Sequence, residues 1–297
     1  MSPERHSFYE ATARERVLGL TDPKSFREFV PFHERMVSPH LPLLGLPVAF
    51  NDGVIVGSAL LGAKPILVAA QEGAFQGGAV GEVHGAKLTG LLERACEEKP
   101  AAVLLLLDSG GVRLHEANAG LIAVSEIMRA LARLRTVGVP AFGLIGGANG
   151  CFGGMSIVAR MCNAIIMSEE GRLGLSGPEV IETVHGVEEF DSRDRALVWR
   201  TVGGKHRYLL KEADLLVDDD IAAFRAGAIS MVESGAHAHA LSMKALELEH
   251  AALADRLARF GNRTESTDIW RAMGVAKPER LPLLDTESFL ELARSVR

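Results

Sequence analysis

Two glycine pairs, each just past an apolar run of strand type and about forty residues apart, constrain this chain more than any other feature. The first lies in Asp108-Ser109-Gly110-Gly111-Val112-Arg113, directly after the run Ala101 to Leu107. The second lies in Gly150-Cys151-Phe152-Gly153-Gly154-Met155, shortly after Pro140 to Ile145. Glycine permits tight turns and close approach of another group to the backbone. A helical pattern follows each pair, so each turn opens on a helix start with free N–H groups. That arrangement suits a bound oxyanion better than a side-chain nucleophile.

The surrounding pattern repeats. Residues 1–50 read as an irregular, partly helical lead, broken by Pro23, Pro31, Pro39, Pro42 and Pro47. After the turn signal Asn51-Asp52-Gly53, Val54 to Leu61 and Lys64 to Ala70 read as a hairpin joined near Gly62. From Ala79 the apolar positions Val80, Val83, Leu88, Leu91, Leu92, Ala95 and Cys96 fall at helical spacing. Strand 101–107 follows, then a helix around 115–135 with Leu121, Ile122, Met128, Leu131 and Leu134 as its apolar stripe. Strand 140–145, a helix from 154 to 162 and strand Ala164 to Met167 complete the series. Such alternation predicts an α/β fold with a parallel sheet layered by helices.

Beyond Gly177-Pro178 the chain becomes mainly helical. Pro178 suits a first helical turn. Asp191 and Ser192 are the expected caps of a helix from Arg193, and Asp218-Asp219-Asp220 of one running through Ile221 to Val232. A further long helix is expected over 237–262. The whole reads as a single domain, 1–297, with the lead 1–50, a core 51–176 and a helical part 177–297.

The net charge of −6 and the lack of a basic block argue against nucleic acid as a partner. The longest clean apolar run, Ala101 to Leu107, is far too short to span a bilayer, and the charged first thirty residues do not resemble a signal peptide. Cys96, Cys151 and Cys162 are scattered without Cys-x-x-Cys spacing, so neither a disulfide framework nor a metal is expected. A cytoplasmic location follows as the expectation.

Nucleophile readings find little support. Ser109 lacks the Gly-x-Ser-x-Gly context of a hydrolase elbow, and Cys151 has no activating base nearby in sequence. The phosphate-loop and strand–GxGxxG–helix patterns are both absent. Asp218-Asp219-Asp220 reads as a helix cap before a cation site, and His237 and His239, on different helix faces, as solvated. Arg113, His115 and Glu116 flank the first turn, where they either order the loop or touch a ligand. The glycines themselves either present N–H donors or only permit turns and close packing.

Four blocks in one order carry a resemblance: EGAFQGGAVGEVHGAK at 72–87, DSGGVRLHEA at 108–117, GCFGGMS at 150–156 and GLSGPEVIE at 174–182. Together they resemble the carboxyltransferase branch of the crotonase superfamily. The second block matches its Ser-Gly-Gly-x-Arg-x-x-Glu signature and the fourth its Gly-Pro-x-Val-Ile-Glu. The run at 186–220 resembles the beta subunits of biotin-independent malonate decarboxylases. Bacterial acetyl-CoA carboxylase subunits of this branch carry an N-terminal four-cysteine zinc ribbon, which residues 1–50 cannot form.

The resemblance implies a crotonase-like spiral of repeated ββα units with a helical C-terminal region. It implies decarboxylation of a malonyl thioester carried on the phosphopantetheine-like prosthetic group of an acyl carrier protein, with no cofactor bound by this chain. The implied partners are a gamma subunit, the acyl carrier protein subunit and an acyl carrier protein transferase (alpha) subunit. By position, the implied oxyanion donors are the N–H groups of Gly111, Val112, Gly153 and Gly154. Ser109, Gly110, Arg113 and Met155 are expected to bind substrate. The alternatives are a biotin-dependent carboxyltransferase or decarboxylase subunit acting on an acyl-CoA, and a non-catalytic assembly subunit. Replacing Gly154 with Pro or a bulkier residue is expected to abolish turnover and to leave folding and assembly intact.

Overall fold

Seven strands lie side by side in the order in which the chain makes them. The computed structural model describes residues 6–235 and 241–297. The strands are β1 (Arg27–Phe29), β2 (Val54–Leu61), β3 (Lys64–Gln71), β4 (Ala102–Leu107), β5 (Ala141–Ile145), β6 (Ala164–Ser168) and β7 (Leu215–Val217). The first three pair antiparallel, and β3 to β7 run parallel. The β2–β3 hairpin turns at Gly62-Ala63, both at positive φ (56° and 63°), as a two-residue turn with right-handed strand twist requires.

The helices are α1 (Ala13–Leu20), α2 (His40–Leu43), α3 (Glu82–Glu98), α4 (Asn118–Thr136), α5 (Gly154–Met161) and α6 (Pro178–His185). After them come α7 (Arg195–Val202), α8 (Gly204–Leu209), α9 (Ile221–Ser234), α10 (Met243–Phe260), α11 (Ser266–Ala272) and α12 (Thr286–Val296). A parallel strand needs cover on both faces, and β4 is buried at every position. Its Val103, Leu105 and Leu107 join the core beneath α3 and α4. Its Ala102, Leu104 and Leu106 pack on the other face against Phe8, α1 and α9. The lead expected to be irregular therefore closes one face of the sheet and adds β1 to its edge.

Between each core strand and its helix the chain runs briefly extended and pairs with the next repeat. The parallel bridges are Val80 to Val112, Ser109 to Cys151 and Cys151 to Leu173. Strand, bridge and helix together form the ββα unit of a crotonase-like spiral. The second β element is only one or two residues long in each turn, too short for a periodicity signal.

Several local expectations change. Leu121 and Ile122 are exposed (56 % and 63 %), and α4 buries Ala123, Val124, Ile127, Ala130, Leu131 and Leu134 instead. Asp194 caps α7 through the Leu197 N–H, whereas Ser192 binds the Glu182 carboxylate and Asp191 the Arg193 N–H. Asp220 caps α9, and Asp219 is taken by Ser7 and the Tyr9 N–H. The helix expected over 237–262 is described only as α10, and His237 and His239 lie outside the described residues.

Ala63 occupies a left-handed position that costs a residue with a Cβ about 1 kcal/mol. Ala63→Gly should therefore raise the unfolding free energy by up to about 1 kcal/mol in urea titration. His206 accepts the Trp270 Nε1–H at 3.0 Å, and burial pushes it down to about 3 from 6.5. Below pH 6.5 the unfolded chain takes up a proton that the folded imidazole refuses, so this stability is present above 6.5 and lost as pH falls toward 3. His206→Gln should flatten the fall in stability between those values.

Candidate functional site

Parallel pairing sets β4 and β5 in register from Val103 opposite Ala141 to Leu107 opposite Ile145, so the two turns leave the same end of adjacent strands. Backbone hydrogen bonds then lace them together: Ser109 N–H to the Gly150 carbonyl at 2.7 Å, and Phe152 N–H to the Ser109 carbonyl at 2.9 Å. Gly111 (φ 129°) and Gly153 (φ 58°, ψ −141°) occupy conformations that a side chain would strain. A Cβ on Gly153 would lie 3.1 Å from the Gly111 Cα, so the glycines also set how closely the turns approach.

The expected donors separate into two kinds. The Gly111 N–H binds Ser109 Oγ at 3.2 Å, and the Gly153 N–H binds the Leu175 carbonyl at 2.9 Å. Both are already occupied within the fold. For the N–H groups of Val112 and Gly154, no acceptor is found among the described residues. Each has a geometric reason. Val112 lies between the Gly111 carbonyl and the Arg113 N–H, which both bond to Val80, so its own N–H points the other way. Gly154 is the first residue of α5, where N–H groups have no intrahelical acceptor. Both residues are half-buried, so a small acceptor can reach them.

The side chains expected at the substrate mostly turn inward. Ser109 is buried, and its hydroxyl folds back on the Gly111 N–H and carbonyl. Met155 is fully buried in the main core, while Gly110 stays exposed at the rim. The Arg113 side chain is 1 % exposed and committed to the fold. Nε donates to the Ala79 carbonyl, Nη1 to the Asp52 and Glu116 carboxylates at 2.8 and 3.1 Å, and Nη2 to the Asp52 carbonyl. Of the two roles open to Arg113, these contacts serve the ordering of the first turn.

The network continues below the turn. Asp52 also accepts the Ser38 and His84 N–H groups, and Glu116 accepts that of Glu82 at the start of α3. Burial pushes the Asp52 carboxyl up, against the pull of Arg113. Burial likewise drives His84 well below its ordinary value, with Arg113 adding to the effect, so the ring is neutral. Burial lowers Lys87 to about 8; its ammonium donates to the Asn51 and Val54 carbonyls. Burial pushes the Cys151 thiol well up and that of Cys162 up to about 12, which removes both as thiolate nucleophiles near neutrality.

Sequence reasoning missed Asp52, Asp108, Asn149 and Arg16. Asp108 stands at the very start of the first turn, which is a signal. Arg16 is 92 residues away and offers none. Exposed apolar side chains stand on the segments that follow the two turns: Leu114 (83 %), Leu121 and Ile122 on α4, Ile157 on α5, and Leu175, whose carbonyl binds the Gly153 N–H. Among the described residues no helix is long and apolar enough to cross a membrane, and no group of three His, Cys, Asp or Glu could hold a metal ion.

The carboxyl transferase domain model matches residues 5–206. The chain is 41 % identical over 308 aligned residues to a malonyl-S-ACP:biotin-protein carboxyltransferase of Malonomonas rubra, covering 98 % of this chain and 96 % of that protein. Among solved structures, it is similar to a chain of a Pseudomonas malonate decarboxylase hetero-tetramer in complex with malonate. The identity is 43 %, the TM-score 0.74, and the match covers 77 % of this chain and 84 % of that one. A chain of a Pseudomonas malonate decarboxylase hetero-dimer matches at 39 % identity and TM-score 0.63, over 77 % of this chain and 89 % of that one.

Gly154 also has a packing role that the sequence does not reveal. A Cβ there would lie 2.7 Å from Val124 Cγ1 on α4, so a larger residue disturbs the helix contact as well as the turn. Gly154→Ala should lower stability by about 1–3 kcal/mol, and Val124→Ala should restore most of it, as read by thermal unfolding. An unchanged midpoint in Gly154→Ala would show that α4 yields freely.

Proposed function

The chain belongs to the carboxyl transferase family, and on that premise we propose that it decarboxylates a malonyl thioester by holding the thioester oxygen. The observation that carries the reading is the pair of N–H groups, Val112 and Gly154, that have no acceptor among the described residues and lie on two turns in contact. The proposed substrate is malonyl-S-acyl carrier protein, its thioester on a phosphopantetheine-like arm. When the malonyl carboxylate lies out of the thioester plane, the bond from its carbon to the α-carbon breaks. That electron pair moves into the thioester, carbon dioxide leaves, and charge collects on the carbonyl oxygen as an enolate. Two fixed N–H donors, one at a helix N-terminus, favour that oxygen more in the transition state than in the substrate. The enolate then takes up a proton from solvent at the α-carbon, which gives the acetyl thioester.

Gly111 and Gly153 shape the turns in this reading, and Val112 and Gly154 act through their backbones. A gamma subunit is the proposed opposing wall. The exposed apolar side chains Leu114, Ile157 and Leu175, on the segments next to the turns, support a protein surface covering this side. The hetero-dimer and hetero-tetramer of the similar Pseudomonas chains agree with partner subunits. Acyl carrier protein and its transferase subunit complete the proposed set.

The Malonomonas relative favours a second reading, in which the carboxyl group passes to a biotin protein. The first half of that reaction needs the same enolate, so the donor pair serves both.

The test is carbon dioxide release from malonyl-S-acyl carrier protein by this chain co-expressed with its partner subunit, with and without avidin. Release that ignores avidin is expected, and release blocked by avidin would favour the biotin-linked reading. Gly154→Pro combined with Val124→Ala removes one donor at a position where proline is tolerated. It should lower kcat by about 100- to 1000-fold while the complex still assembles. Normal turnover by that variant would remove Gly154 from the mechanism.

A further inference from the structure

A buried carboxylate outside the substrate opening joins the two donor turns. Asp108 follows β4 and leads into the first turn, and its Oδ1 accepts the Asn149 N–H, just before the second turn, at 2.7 Å. Its Oδ2 accepts from Arg16 Nη1 at 2.8 Å, with both side chains 3 % exposed. Its own N–H donates to Gln71 Oε1 at 3.3 Å. Arg16 is itself fixed on α1: Nε donates to the Phe8 carbonyl at 2.8 Å, Nη2 to that of Tyr9, and its guanidinium lies 4.9 Å from the Phe8 ring centre. Gly73 and Gly147 both pass so close to the Asp108 carboxyl that a side chain on either would overlap it.

Stability alone is a poor account of this pair, because desolvation offsets most of the attraction between two buried charges. Its location is more informative. It ties the residue before one donor turn to the residue before the other, and anchors both to the helix that closes the sheet.

We propose that Asp108 is a positioning residue for the decarboxylation. It sets the separation of the Val112 and Gly154 N–H groups through Asn149, while Arg16 balances its charge; the inference rests on the enolate reading above. Two donors act together only when both meet one oxygen. A displacement of about 1 Å lowers the rate by about 100-fold.

The test compares two charge-neutral double variants in the assembled complex. Arg16→Met with Asp108→Leu removes the acceptor for Asn149 without leaving a lone buried charge. It should assemble, keep KM within about twofold and lose about 30- to 100-fold in kcat. Affinity for a nitroacetyl thioester, whose nitronate mimics the enolate, should fall by the same factor, while acetyl thioester affinity stays. Arg16→Met with Asp108→Asn keeps an oxygen for the Asn149 N–H and should recover most of the rate. If the leucine variant fails to assemble, the asparagine variant still decides. A folded asparagine variant as slow as about 1 % of wild type would overturn the proposal. So would a leucine variant with wild-type kcat and wild-type nitroacetyl affinity. A wild-type complex that releases no carbon dioxide would sink the decarboxylase reading itself, and this inference with it.

Discussion

The parallel register of β4 and β5 is the constraint from which the site follows. In a parallel sheet the C-terminal ends of neighbouring strands lie side by side, so whatever loops leave them must share one space. Here both loops are glycine turns opening on helices, and they touch at Gly111 and Gly153. The short bridges between repeats extend the register past the sheet. Through Ser109, Gly150 and Phe152 they fix the turns before any side chain takes part. The proposed donors are therefore backbone groups held by secondary structure, a rigid way to present an N–H to an oxyanion.

Around that framework the chain buries more charge than its packing needs. Arg113, Asp52 and Glu116 sit together beneath the first turn, with His84 and Lys87 beside them. Arg16 and Asp108 sit behind both turns. Groups like these cost desolvation energy and are tolerated where every donor and acceptor is met. In both clusters many of the contacts run to backbone atoms: those of Ser38, Asn51, Asp52, Val54, Ala79, Glu82 and His84 in the first, and of Phe8, Tyr9 and Asn149 in the second. The charged network thus holds backbone in place and keeps its side chains turned inward.

A carboxyltransferase and a decarboxylase need the same enolate from a malonyl thioester and differ in what receives the carboxyl group. In the proposed reading, both outcomes use one pair of donors. In that reading, what distinguishes them lies with the proposed partner, for which Leu114, Leu175 and the start of α4 offer exposed apolar side chains.

The repeating strand-and-helix order, the β2–β3 hairpin and the two glycine turns were all legible in the amino-acid sequence, because each rests on local periodicity or on glycine's backbone freedom. So was the family, from four motif blocks. The extra strands β1 and β7 were not, since three residues carry no period, and neither was the outward face of Leu121 and Ile122, which depends on how α4 rotates against α3. Tertiary structure alone decided that Gly111 and Gly153 use their N–H groups internally while those of Val112 and Gly154 find no acceptor among the described residues. It alone brought Arg16 to Asp108. Hydrogen bonds between residues far apart in sequence are set by the path of the folded backbone, and no local pattern of residues encodes which partner a given N–H will find.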